Sequence, residues 1–322
     1  MSDDKIVKTI RGYQRKIKCI DGLDSLMGIA IMIAFAVFVF LFVYMVALSY
    51  KPIYFGMIMA FFVVLLMLFW VVGKQVDRLQ KKMKQFIGEH VVKYIIAERI
   101  TIQEYKPHGC FDRDFLSSSG ALPDFSQSYG SDYIKGIYRG KEIIYCDIKL
   151  ERKGNDGTFI VFKGSVVSLP LGRPLVGKRV RILEKGSKPI DFIENAYINA
   201  ETKLYRALGI KKGEEQTVTL ESVEFNNQFE VKATDEELAF YILTPQFMEN
   251  IVSADRLAEG RTNICVGSDR VDIAIHNNYD AFEFGNTMKN KKQLEESRAR
   301  MRADLNKILS VVDEILKKDK LF

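Results

Sequence analysis

The chain reads as an α+β protein carried on a helical membrane hairpin. Three observations predict this. Two long uncharged apolar runs lie near the N-terminus, amphipathic helical stripes flank them and recur at the C-terminus, and short alternating runs fill the middle. The first apolar run is Leu26–Leu48 and the second is Ile53–Gly73. A helix needs about 20 apolar residues to cross the hydrocarbon core, so each run predicts a span. Ser49-Tyr50-Lys51-Pro52 forms the polar turn between them. A cleaved signal peptide would have a shorter apolar core of roughly 7–15 residues and would not lead into a second span.

Flanking charge predicts the orientation. Lys5, Lys8, Arg11, Arg15, Lys16 and Lys18 precede the first run, and Lys74, Arg78, Lys81, Lys82 and Lys84 follow the second, against Lys51 alone in the turn. Basic residues are retained on the cytoplasmic side, which predicts a multi-pass protein of the cytoplasmic (inner) membrane with both termini cytosolic. Trp70 and Tyr50 sit near span ends, where amphipathic rings favour the headgroup region. Neither run contains Asp, Glu, Lys, Arg or His, which argues against a transport path and for an anchor.

The stripes come next. Ile6, Ile10, Tyr13, Ile17 and Ile20 recur at helical spacing before the first run, and Val76, Leu79, Met83 and Phe86 do so after the second. Near the C-terminus the series is Met301, Leu305, Ile308, Val312 and Ile315, with Leu294 one heptad upstream. None is long enough for a coiled coil, so helix packing or pairing with another subunit is expected. Strands are predicted at Tyr133–Tyr138, Glu142–Leu150, Thr158–Lys163, Arg179–Leu183, Thr217–Phe225, Thr262–Val266 and Arg270–Ile275, mostly antiparallel, with a hairpin turn at Gly267-Ser268-Asp269. Thr234 followed by Glu237 has the capping-box spacing, and Pro245 must break that helix and open another behind Thr244. Ser117–Ser131 is expected to be the longest irregular loop.

These features divide the chain into an amphipathic helix over 1–25, the hairpin over 26–73 (spans 26–48 and 53–73) and a juxtamembrane helix over 74–99. A cytosolic α+β domain follows over 100–285, then a C-terminal amphipathic helix over 286–322. Charge is unevenly divided among them. Residues 1–24, 74–108 and 286–322 carry a net charge of +10, and 109–285 carries −5, within the overall +6. An acidic central domain argues against nucleic acid as the main partner, and the basic excess lies where anionic lipids can meet it.

Chemistry-bearing motifs are sparse. Gly172-Arg173-Pro174-Leu175-Val176-Gly177-Lys178 has the glycine and lysine spacing of a phosphate-binding loop. The next residue, Arg179, cannot hold magnesium, and Arg179–Leu183 alternates like a strand, so a turn entering a strand is the reading taken. Cys19, Cys110, Cys146 and Cys265 form no Cys-x-x-Cys pair, and a cytosolic setting keeps them reduced. His108 and Cys110 alone do not make a zinc site, and His90 and His276 read as structural or exposed. No catalytic, cofactor-binding or metal-binding residue is assigned, and no cofactor is expected.

Three stretches of the soluble part resemble a known family. Gly130-Ser131-Asp132-Tyr133-Ile134-Lys135-Gly136, Phe162-Lys163-Gly164 and Leu220–Ile251 are similar to the bacterial membrane-associated family designated domain of unknown function 3137. The likeness extends over roughly 80–285, with the C-terminal helix from Met288 outside it. It implies an architecture and transfers no site. The same residues also have a packing role, since Phe225, Phe229, Val231, Phe240, Tyr241, Phe247 and Met248 are what a strand and a broken helix would bury.

The expected function is therefore non-enzymatic. Residues 26–73 contact the lipid bilayer, and the cytosolic domain serves interaction, scaffolding or assembly, with a protein partner or another copy met through the amphipathic helices. The alternative is a membrane-tethered enzyme or a small-ligand or lipid sensor whose site is assembled from dispersed residues. Asp112, Asp114, Asp132 and His108 are its first candidates. A lipid-reading pleckstrin-homology-like barrel is a third possibility, but strands after the helix speak against it.

Overall fold

The computed structural model describes residues 1–47, 52–154, 157–186, 215–284, 288–318 and 321–322. The chain divides into two compact units, one of Met1–His90 with Phe284–Ser297 and one of Val91–Glu283 with Arg298–Phe322.

The first unit is helical. Helix α1 (Asp3–Ala47) joins the N-terminal stripe and the first apolar run without a break, and α2 (Pro52–Ile87) does the same for the second run and its basic flank. Asp3 and Asp4 in the first turn of α1 suit the positive end of the helix dipole. The two helices pair antiparallel. Phe62 of α2 meets Phe35 and Phe38 of α1 at 6.0 and 6.1 Å, and Phe86 meets Tyr13 at 6.4 Å. Each stripe also supplies buried residues, Ile6 and Ile10 in α1 and Val76 in α2.

Along their apolar runs the helices are not covered. Met32 is 73% exposed, Phe40 70%, Phe61 63% and Met67 65%. Among the described residues one helical stretch, Met59–Ala97, is long and apolar enough to cross a membrane, and Ile31–Phe40 is a shorter apolar helix. The expected two spans are thus one such helix among the described residues. The predicted turn at Ser49-Tyr50-Lys51 lies outside them.

The second unit begins with a five-residue π-helical turn that starts in the first unit, Gly88–Val92, followed by α3 (Lys93–Ala97). Its described residues build a nine-stranded sheet, β1 (Thr101–Lys106), β2 (Gln127–Tyr138), β3 (Lys141–Gly154), β4 (Gly157–Pro170), β5 (Val180–Glu184), β6 (Gln216–Val218), β7 (Phe229–Ala233), β8 (Arg261–Val266) and β9 (Arg270–His276). The order is β1-β2-β3-β4-β9-β8-β5-β7-β6, and every neighbouring pair is antiparallel. The α+β class and the large antiparallel sheet agree with the sequence reading, and the linear strand order is that of an open sheet, not a barrel.

Both faces of the central strands are covered, so their apolar runs are continuous where a half-exposed strand would alternate. Tyr145–Ile148 of β3 and Val271–Ile275 of β9 are buried throughout. One face carries Cys146, Ile148, Leu150, Phe162, Val166, Cys265 and Ala274, packed with Phe111, Leu116, Ala121 and Leu122 from the segment around α4 (Arg113–Ser118). On the other face Tyr138 donates a hydrogen bond to Asp313 at 3.0 Å in α8 (Lys291–Leu316). The C-terminal stripe is buried as spaced, with Met301, Leu305, Ile308, Val312 and Ile315 all below 6% exposure.

Four local readings are corrected. Thr217–Phe225 is not one strand. β6 ends at Val218, and α5 (Val223–Gln228) starts behind Ser222, whose hydroxyl accepts from the Phe225 N–H at 3.2 Å. The cap of α6 (Glu236–Ile242) is Asp235, accepting from the Leu238 N–H at 3.2 Å. Thr234 instead accepts from the Arg179 N–H at 2.8 Å, which ties it to the start of β5. The irregular stretch between α4 and β2 is short and held down, because Arg181 donates to the Gly120 carbonyl at 2.6 Å and Asn263 to the Ala121 carbonyl at 3.2 Å. Two strands, β1 and β7, were not predicted at all. Pro245 opens α7 (Pro245–Ala258) behind Thr244, as expected.

Candidate functional site: a buried carboxylate cluster

The phosphate-loop spacing folds as the sequence context requires, a turn with Gly177 at φ 71° leading into β5. Lys178 pairs with Asp235 at the surface. Attention moves instead to the β2–β3–β4 region, where hydroxyl and carboxyl groups gather inside the sheet.

The position of each carboxylate follows from the ladder. Asp147 of β3 pairs in register with Ser131 of β2 and with Ser165 of β4. The β2 register slips between Ser131 and Ile134, so Asp132 and Tyr133 together oppose the single Cys146. Such a bulge re-aims side chains. Asp132 adopts φ 55°, a left-handed conformation that aspartate tolerates better than most residues. As a result Tyr133 stays with the Phe111 cluster, while Asp132 turns back toward Asp147. Asp280 arrives from the segment after β9. Its carboxylate accepts from the Phe282 N–H at 3.1 Å, a turn that aspartate commonly makes, and from the Ser131 hydroxyl at 2.8 Å.

One oxygen from each of Asp132, Asp147 and Asp280 lies within 4.8 Å of the others. Asp132 and Asp147 are 2% and 4% exposed. Hydroxyls supply the donors. Tyr145 and Ser165 reach Asp147 Oδ1 at 2.6 and 2.7 Å, the Ala281 N–H reaches Asp147 Oδ2 at 3.1 Å, and Tyr105 reaches Asp132 Oδ1 at 2.7 Å.

The electrostatics follow from burial and like charge. Loss of water pushes the Asp147 carboxyl well above the usual carboxylate range, and the neighbouring Asp280 charge adds to this. The Tyr145 and Ser165 hydroxyls pull the other way without winning. Burial and then the Asp132 charge push the Tyr105 phenol up, and Tyr145 rises for the same reasons with Asp147 as its neighbour, so both stay neutral donors. Like charges this close oppose simultaneous ionisation. The group therefore shares protons, or it is neutralised by a hard cation, for which carboxylate and hydroxyl oxygens are the fitting ligands.

Of the four residues suggested by the sequence, the structure brings only Asp132 into this cluster. Asp112 is the exposed residue before α4, Asp114 lies exposed in its first turn, and His108 is exposed in the turn after β1. Asp147 and Asp280 escaped the sequence reading. The signal for Asp147 was present, as an aspartate at the centre of the apolar strand Ile143–Leu150.

Comparison with known proteins places the chain as follows. Residues 160–317 match the family described as protein of unknown function DUF3137. The match is displaced from the resemblance read in the sequence. It takes in the C-terminal helix, which that reading left out, and omits 80–159, including Gly130–Gly136. Asp280 lies inside the matched stretch, and Asp132 and Asp147 lie before it. No curated protein matches. Among solved structures, the mycobacterial trehalose monomycolate transport factor A, TtfA, is similar at 13% identity and a TM-score of 0.34, over 70% of this chain and 95% of that one. At that score the likeness carries no argument.

Proposed function

We propose that this chain, which carries a DUF3137 domain of unknown function, is a membrane-anchored, non-enzymatic assembly module. In this reading α1 and α2 cross the cytoplasmic membrane as a hairpin with both termini cytosolic, and the sheet unit binds a protein partner or a second copy beside the bilayer.

The observation that carries the reading is the exposure of the paired helices. Their apolar runs face outward at Met32, Phe40, Phe61 and Met67, while their charged segments bury Ile6, Ile10 and Val76. In water this arrangement would leave a large apolar belt unsatisfied, and in lipid it is the favourable one. Lys74 lies 3.5 Å over the Trp70 ring, an arrangement suited to the lipid border, where the indole sits among headgroups and the ammonium reaches water. Support for a partner comes from one end of the β3–β4 hairpin, where Phe159 and Ile160 are more than half exposed and Tyr129 of β2 is 50% exposed.

Alkaline carbonate extraction of membranes should leave the full chain in the pellet, and reporters fused to either terminus should read cytosolic. Release into the supernatant, or a reporter outside, would overturn the anchor. Detergent extraction should return the chain with a partner or as an oligomer, and a bare monomer would remove the assembly role. The alternative of a small-ligand sensor draws on the gathering of Asp132, Asp147 and Asp280. Calorimetric titration of the full chain in detergent with calcium and with magnesium tests it, and the absence of binding heat for both would exclude a sensor of these ions.

A further inference from the structure

Cys110 and Cys146 are far apart in sequence and adjacent in the fold. Cys110 lies between β1 and α4, with its side chain against the bare face of Gly130. A Cβ at Gly130 would sit 2.5 Å from the Cys110 sulfur and 2.9 Å from its Cα. Cys146 is on β3 opposite the bulge, and its thiol reaches the Ser131 carbonyl at 3.2 Å and the Gly109 carbonyl at 3.5 Å. These carbonyls belong to the residues beside Gly130 and Cys110. Cys146 therefore touches the residues on either side of the Cys110 contact with Gly130, which sets the two thiols side by side.

We propose that Cys110 and Cys146 are a peroxide-responsive dithiol, with Cys110 as the attacking sulfur and Cys146 as the resolving one. The assignment of roles follows from their surroundings. Cys110 is half-buried and so within reach of a small oxidant, whereas Cys146 is fully buried. The neighbouring Cys146 thiol holds the Cys110 thiol below its ordinary range, opposed by burial and helped by the Phe111 N–H. A half-exposed thiol of lowered pKa beside a second thiol is the arrangement expected of a sulfur that oxidises reversibly.

The step balances with hydrogen peroxide as oxidant. The Cys110 thiolate attacks one peroxide oxygen, an S–O bond forms as the O–O bond breaks, and the departing hydroxide takes up a proton as water. Cys146 then attacks the sulfenic sulfur. The S–S bond forms, the S–O bond breaks, and the leaving hydroxyl departs as a second water with the Cys146 proton. Two thiols are oxidised and one peroxide is reduced. Cys146 thereby loses the hydrogen that it shares with the Ser131 and Gly109 carbonyls, so oxidation acts on the bulge that positions Asp132. The cytosolic placement proposed above keeps the pair reduced at rest, but the test below does not depend on it.

The full chain in detergent micelles, reduced and then exposed to hydrogen peroxide, should lose the mass of two hydrogens. Non-reducing peptide mapping should find Cys110 linked to Cys146, and dithiothreitol should reverse the link. Cys110 should be consumed about tenfold faster than the exposed Cys19. In Cys146→Ala the reaction should stop at a sulfenic acid on Cys110 that dimedone traps. The unmodified chain decides the matter by itself if the variant misfolds. Oxidation of Cys19 with Cys110 and Cys146 left as free thiols would overturn the proposal, as would Cys110 linked only between chains.

Discussion

Asp147 and Asp272 are both buried aspartates of the same sheet, and each accepts a hydrogen bond at 2.7 Å from a serine of β4. Those serines, Ser165 and Ser168, are three residues apart and so point to opposite faces. What they meet there differs. Asp272 faces Arg270, two residues along the same strand, at 3.1 Å. That guanidinium lies 4.0 Å over the Phe115 ring and also donates to the Phe115 carbonyl and the Ser118 hydroxyl. Asp147 faces two further carboxylates and is served by hydroxyls and a backbone N–H. The first is a closed charge pair within the fold. The second has surplus negative charge that protons or a cation must offset. Burial alone therefore does not make a carboxylate functional, whereas burial among other carboxylates leaves an open electrostatic account.

The comparison predicts opposite signs for the same substitution. Asp272→Asn should be the most damaging change, costing about 3 kcal/mol, because it removes the buried counter-charge of the half-buried Arg270 and leaves it only the exposed Asp269 carboxylate at 3.6 Å. Denaturant unfolding of the full chain in detergent micelles measures it, and a loss below about 1 kcal/mol would break the comparison. Asp147→Asn should stabilise the protein at neutral pH. The sign follows from linkage. The Asp147 pKa is raised on folding, so its contribution is fully present below the unfolded value of 3.8 and is lost as pH rises through the folded one. Within that window the native chain should lose up to about 1.4 kcal/mol per pH unit for this one proton. Asp147→Asn should remove that slope and gain about 1 kcal/mol or more near pH 7. Unfolding midpoints from about pH 4 to about pH 8 test both points, and an unchanged slope would place the charge relief elsewhere.

Much of this frame was legible in the chain. Period and length located α1, α2 and α8, because long apolar stripes have few alternative folds, and hairpin chemistry located β8 and β9. β1 and β7 were missed because Thr101–Lys106 is polar and Phe229–Ala233 is short, so pairing with neighbours decides them more than their own pattern does. The capping box at Thr234 failed by one residue. The competing bond to the Arg179 N–H occupied the threonine, and Asp235 took the cap. The carboxylate cluster was the least legible part. It depends on a bulge that rotates Asp132 and on Asp280 returning after β9, and neither leaves a local mark. Cys110 and Cys146 are hidden for the same reason, since their proximity is made by the β2–β3 register.

The serines sharpen the comparison at lower amplitude. Ser168→Ala removes a donor from an ion-paired carboxylate and should cost about 1.5–3 kcal/mol. Ser165→Ala should cost less, about 1 kcal/mol, and its effect should depend on pH. The Ser165 hydroxyl holds Asp147 down, so its loss should raise that carboxyl further and carry the falling limb of stability to higher pH. Lys178–Asp235 supplies the solvent-exposed limit of the series. There both groups keep their water, and Lys178→Ala should change stability little, and less still with added salt. The same variant should leave nucleotide binding unchanged, because the turn it occupies leads into a strand and offers no helix N-terminus to a phosphate. A salt-independent loss as large as that of Asp272→Asn would mean that pairing, not burial, sets the scale of these interactions.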